Sequence, residues 1–119
     1  MRSFEEWRAW YEERAEPCLV EPGESLFFDA AHGFFFYEVL PGGVFFLDHV
    51  ATDDIRWMYA RAWELARAHG CRCVASVSFH RAAAYVRLFR AHIDLALSGW
   101  GANGRWYWAF VDDGLLWEA

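Results

Sequence analysis

The sequence predicts an α+β fold layered α/β/α, with a mixed central sheet of about six strands and about three helices. Three observations carry that expectation. The stretch from Gly43 to Ala91 reads strand, helix, strand, helix, and a long helix between two apolar strands implies a right-handed parallel crossover. Upstream lie short apolar runs separated by turn residues, the pattern of an antiparallel meander. The runs FFF at 34–36 and VFFL at 44–47 are almost continuously apolar, which suggests a sheet covered on both faces.

The elements follow in order. Ser3 and Glu6 form a capping box, and Phe4, Trp7, Trp10 and Tyr11 make an aromatic stripe on a helix over 4–15 that Pro17 ends. Trp7 and Trp10 read as core or interface aromatics. Glu21 to Glu24 is a turn, Ser25 to Asp29 a strand, Ala31-His-Gly33 a tight connection and Phe34 to Leu40 a second strand. Pro41-Gly-Gly43 turns the chain into the strand Val44 to Ala51. Thr52, Asp53 and Asp54 suit a helix cap. Ile55, Met58, Tyr59, Ala62, Leu65, Ala66 and His69 then recur at helical spacing, opposite Arg56, Ala60, Arg61, Glu64 and Arg67, until Gly70 stops the helix. Cys71 to Ser78 returns as a buried strand, and an Arg-studded helix begins near His80. Ile93 to Leu97 and Arg105 to Val111 read as strands joined by the Gly-rich segment 98–104. The expectation is one domain: an N-terminal helix region over 1–20, a core over 21–111 and a docking tail over 112–119.

At 119 residues and 56% hydrophobic content, with 8 Trp, 11 Phe and 5 Tyr, the chain excludes disorder over most of its length. So large an aromatic load points to an interface or a ligand cleft as well as a core. The partner expected is therefore an unknown protein or a second copy, a homodimer. The net charge of −6 argues against nucleic acid as a partner. Its distribution is uneven: 3 Arg against 10 acids over residues 1–51, 7 against 3 over 52–92, and 1 against 4 over 93–119. All 11 basic residues are Arg, and the cluster in the two crossover helices reads as a solvated face or an anion site. No apolar run reaches the ~18 residues of a membrane helix and no signal-peptide pattern opens the sequence, so no membrane partner and a cytoplasmic location are expected.

The chemistry is sparse. The 5 His residues show no short ligand spacing, and no metal site is expected. Cys18, Cys71 and Cys73 make no CxxC pair and read as reduced thiols. There is no GxSxG elbow, Walker loop or GxGxxG. Asp48 and His49 are the polar pair of an otherwise apolar strand, set near its end. Either one is a candidate general base, or else ordinary strand-end polarity.

The order of elements resembles the GNAT (GCN5-related N-acetyltransferase) superfamily from about Ser25 to Val111. "LFFDAAHGFFFYEVLPGGVFFLDHVAT" looks like that family's second to fourth strands, and "ARAWELARAHGCRCVASVSF" like its central helix and fifth strand. "HRAAAYVRLFRAHI" takes the place of its N-x-x-A-x-x-L-Y-x-x-x-G-F helix. The resemblance implies a GNAT-like fold with a truncated N-terminal part and acyl-CoA between the fourth and fifth strands. Contacts are implied at Val50, Ala51, Thr52 and Arg56, with Tyr59 and Arg61 standing at the glycine positions of the pyrophosphate loop. Leu88 stands at the place of the family's Tyr, and Tyr85, about one turn earlier, is the substitute proton donor to the leaving thiolate. Two readings follow from it. One is a degenerate GNAT-like protein of phage or prophage type with an interaction or structural role, cytoplasmic or virion-associated. The other is an active acetyl-CoA-dependent N-acetyltransferase using Asp48 or His49 as base. A homodimeric binding module is the third expectation.

Overall fold

The chain is described here by a computed structural model covering residues 1–78, 92–100 and 106–112. The helix expected from near His80, with Tyr85, and the tail from residue 113 lie outside the described residues. The first helix, α1 (Phe4–Arg14), starts as expected: the Ser3 hydroxyl accepts from the Glu6 N–H, and the Glu6 carboxylate accepts from the Ser3 N–H, both at 3.1 Å.

Three antiparallel strands follow, β1 (Ser25–Asp29), β2 (Gly33–Leu40) and β3 (Val44–Thr52). The crossover helix α2 (Ile55–Ala68) leads into β4 (Cys73–Ser78), parallel to β3. The last strands, β5 (His92–Trp100) and β6 (Trp106–Asp112), complete a six-stranded sheet in the order β1-β2-β3-β4-β6-β5. Several strand ends differ from expectation, β4 beginning at Cys73 and not at Cys71, and two of the differences have a visible cause. Ser98 to Trp100, expected in the hairpin connection, belong to β5, where the Ser98 hydroxyl accepts the Ala109 N–H at 2.9 Å beside a slip in register. Asp112, expected to begin the tail, is buried at the end of β6, because Tyr59 Oη and Trp63 Nε1 donate to its carboxylate at 2.7 and 3.3 Å. A buried carboxylate needs such donors, and α2 supplies them.

The aromatic run Phe34-Phe35-Phe36 shows why the sheet is apolar on both faces. Strand alternation sends Phe34 and Phe36 to one side, against Trp7, Tyr11, Cys18 and Ala51, and Phe35 to the other, against Phe45, Leu47, Met58 and Val74. α1 covers the first face and α2 the second. Each fully buried Phe contributes roughly 1.5–3 kcal/mol. The predicted α2 stripe is buried at Met58, Tyr59, Ala62 and Ala66, with Trp63 added to it, whereas His69 at the C-cap is exposed. Gly70 beyond it takes a left-handed φ of 71°.

Candidate functional site at the parting of two parallel strands

The ladder between β3 and β4 runs from Val44–Cys73 to Leu47–Ser76 and stops, although β3 continues to Thr52 and β4 to Ser78. On its other side, β3 slips against β2 between the pairs Phe34–Ala51 and Phe36–Asp48. Both irregularities centre on His49, the only non-glycine residue with positive φ (52°) among the described residues. Asp48 and His49 therefore lie at a bulge inside β3 and not at its end, as the sequence suggested.

The bulge lets two consecutive residues reach the α1 side. The His49 ring is 6% exposed, and its Nε2 lies 2.9 Å from the Leu19 carbonyl and 3.5 Å from the Asp48 carboxylate. A carbonyl can only accept, so in the neutral ring Nε2 carries the proton and Nδ1 accepts from Tyr11 Oη at 2.7 Å. A Glu16 oxygen lies 3.5 Å from the same Nδ1. Burial, ahead of Glu16, holds the Tyr11 phenol above its ordinary value, so it remains a donor. The left-handed conformation at a β-carbon costs roughly 1–2 kcal/mol. Two hydrogen bonds of about 0.5–1.5 kcal/mol each offset it.

Around His49 stand three carboxyl groups. Glu16, Asp48 and His49 each present an atom within 4.8 Å of the others, the convergence that sequence spacing does not reveal. Both imidazole nitrogens are already hydrogen-bonded, so the ring presents no open lone pair to a metal. Glu24 joins the cluster beside Asp48. Burial first, then Asp48, raises the Glu24 pKa above the ordinary carboxyl value, against the Glu21 N–H that its carboxylate accepts at 2.7 Å. The sequence alone puts Glu24 in a turn and Glu16 just past a helix; their convergence depends on the 15–24 segment folding over the bulge.

The raised Glu24 pKa has a measurable sign. A carboxyl held protonated by the fold contributes stability below its ordinary pKa, and that contribution is lost as pH rises through the raised value. Glu24→Gln is therefore expected to raise Tm at pH 7 and to leave it nearly unchanged near pH 4. Equal shifts at both pH values would show that the pair carries no such linkage.

At the far end of β3, α2 begins. Thr52 Oγ1 donates to the His32 carbonyl at 2.6 Å and accepts the Asp54 N–H at 3.0 Å. Asp54 is the N-cap: its carboxylate accepts the Trp57 N–H and its carbonyl the Met58 N–H, while the amides of Ile55 and Arg56 have no acceptor among the described residues. Trp57 is stacked on His32, with centroids 3.7 Å apart and planes 6° from parallel. Arg56 is exposed. Arg61 pairs with Glu64 at 2.7 Å and lies over Trp57. Tyr59 is buried in the α2 core and bonded to Asp112, so it stands well inside the helix. Val50 packs on the α2 side and Ala51 is fully buried on the α1 side. The sequence puts Asp48, His49, Val50, Ala51, Thr52, Arg56, Tyr59 and Arg61 together; the structure brings Asp48 and His49 into one cluster and sets Tyr59 and Arg61 apart along α2.

Neither a protein-family model nor a curated protein matches the chain. Among solved structures it is similar to a probable acetyltransferase (GNAT family) from Chromobacterium violaceum ATCC 12472, with a TM-score of 0.57 at 21% identity. The fold is GNAT-like. The likeness covers 83% of this chain and 63% of that one, so the chain spans less than two-thirds of the neighbour's length. In the order of elements, β3 and β4 stand where the two parting strands are expected, with α2 between them. No helix among the described residues is long and apolar enough to cross a membrane.

Proposed function

We propose that the chain binds an acyl-CoA thioester and transfers the acyl group to an amine. One observation carries the reading: hydrogen bonding between β3 and β4 ends at Leu47–Ser76, and the next residue of β3 is Asp48, paired with Glu24. Main-chain groups of β3 beyond that point lack a β4 partner and suit the amides of a pantetheine arm. In this reading Asp48 and Glu24 are the groups that meet the amine. Burial that raises the Glu24 pKa makes its carboxylate a better proton acceptor than an ordinary one. The amine nitrogen attacks the thioester carbonyl carbon, a C–N bond forms, the C–S bond breaks, and the amine proton passes to the carboxylate. The thiolate departs and takes a proton; Tyr85, which the family resemblance implies for that step, lies outside the described residues.

The diphosphate end fits less fully. The start of α2 offers the amides of Ile55 and Arg56 and the Arg56 side chain, beside Asp54, whose carboxylate already caps the helix. That observation favours a second reading, a GNAT-like fold used for binding without acyl transfer. Calorimetric titration with acetyl-CoA separates the two. Saturable binding with Kd below about 1 mM, weakened in Arg56→Ala, is the expected result. Silence at millimolar acetyl-CoA removes the transferase and leaves the binding fold.

A further inference from the structure

We propose that His49 is the positioning residue that keeps β3 and β4 apart. Its consequence for ligand binding rests on the acyl-CoA reading above, but its structural half does not. The ring is clamped between two separate segments: Tyr11 Oη on α1 bonds Nδ1, and the Leu19 carbonyl in the link after α1 bonds Nε2. These bonds pull the residue toward the α1 face at a φ of 52°, a conformation that a histidine in an extended strand does not otherwise adopt.

The consequences appear on both sides of the strand. Against β2, the register slips between Phe36–Asp48 and Phe34–Ala51, bracketing His49. Against β4, the last pair is Leu47–Ser76, two residues before it. Before the bulge, Leu47 packs on the α2 side; after it, Val50 returns there, while Ala51 joins the α1 cluster. One left-handed residue thus absorbs the extra position, joins Asp48 on the α1 side and frees the main chain of 48–52 from β4. Without the clamp, the extended conformation that any β-carbon prefers restores regular alternation, and the parallel ladder lengthens toward Val77 and Ser78.

The test is site-resolved amide hydrogen exchange on the whole chain. In the wild type, amides among residues 48–52 that face β4 exchange freely. His49→Val removes the clamp and disfavours positive φ, so their protection is expected to rise about tenfold as the strands pair. Tyr11→Phe removes one bond with little change in packing and is expected to raise it about threefold; it decides the matter if the Val variant does not fold. Wild-type exchange at 48–52 in both variants overturns the proposal. If acetyl-CoA binds, acetyl-pantetheine affinity falls in parallel with the rise in protection, while that of adenosine 3′,5′-bisphosphate is unchanged. If no acyl ligand binds to the wild type, the exchange result still decides the clamp, and only the transferase reading fails.

Discussion

Alanine at position 33 is expected to lower the free energy of unfolding by about 3 kcal/mol or more, the sum of an overpacking and a backbone contribution. Gly33 opens β2 with a φ of 123°, and a β-carbon there meets the Ala51 carbonyl oxygen at 1.8 Å and its carbon at 2.9 Å. The obstacle is main chain, held by the pairing of Phe34 with Ala51, so it cannot swing aside. Gly42, in the turn before β3, has a φ of 86°, and a β-carbon there meets nothing within 4 Å. Alanine at that position carries the backbone cost alone, about 1 kcal/mol. Urea unfolding of the two variants separates clash from backbone; equal losses show that the close approach of β2 to β3 carries no cost. Because Ala51 lies just past the bulge, Gly33→Ala is also expected to weaken ligand binding at the parting.

Replacing Asp48 by Asn is expected to lower the rate of acyl transfer by about 10²- to 10⁴-fold, the usual contribution of a positioned general base. Asn preserves the shape and can bond Glu24 without a shared charge. The KM for acetyl-CoA should therefore stay near its wild-type value while kcat falls, since the thioester is held by main chain and the α2 end. A loss smaller than tenfold removes Asp48 as the base. Glu24→Gln at the partner carboxyl distinguishes the two members of the pair: a larger loss there assigns proton acceptance to Glu24.

The elements legible in the sequence are those whose signal is local or periodic. The Ser3–Glu6 box, the alternating Phe34–Phe36 run and the Met58, Tyr59, Ala62, Ala66 stripe each decide a conformation or a buried face within a few residues, and each is found in place. Asp54 as the cap of α2 follows from the same local chemistry. The candidate site is only partly legible. Asp48 and His49 stand out as polar residues in an apolar strand, yet nothing local marks Tyr11, Glu16, Leu19 and Glu24 as their neighbours. Those contacts span up to 38 residues of sequence and form only when the link after α1 folds across β3.

By itself the sequence determined the layered architecture, the parallel crossover and the burial of both sheet faces, because hydrophobic period and capping chemistry act over one turn or one strand. Tertiary structure alone decided what the polar pair does. A left-handed histidine is unfavourable locally and exists only where partners from elsewhere hold it. It alone also decided that the Tyr59 hydroxyl meets Asp112, and that β3 and β4 stop pairing just before Asp48. Long-range hydrogen bonds that oppose a local preference leave no periodic trace in the chain.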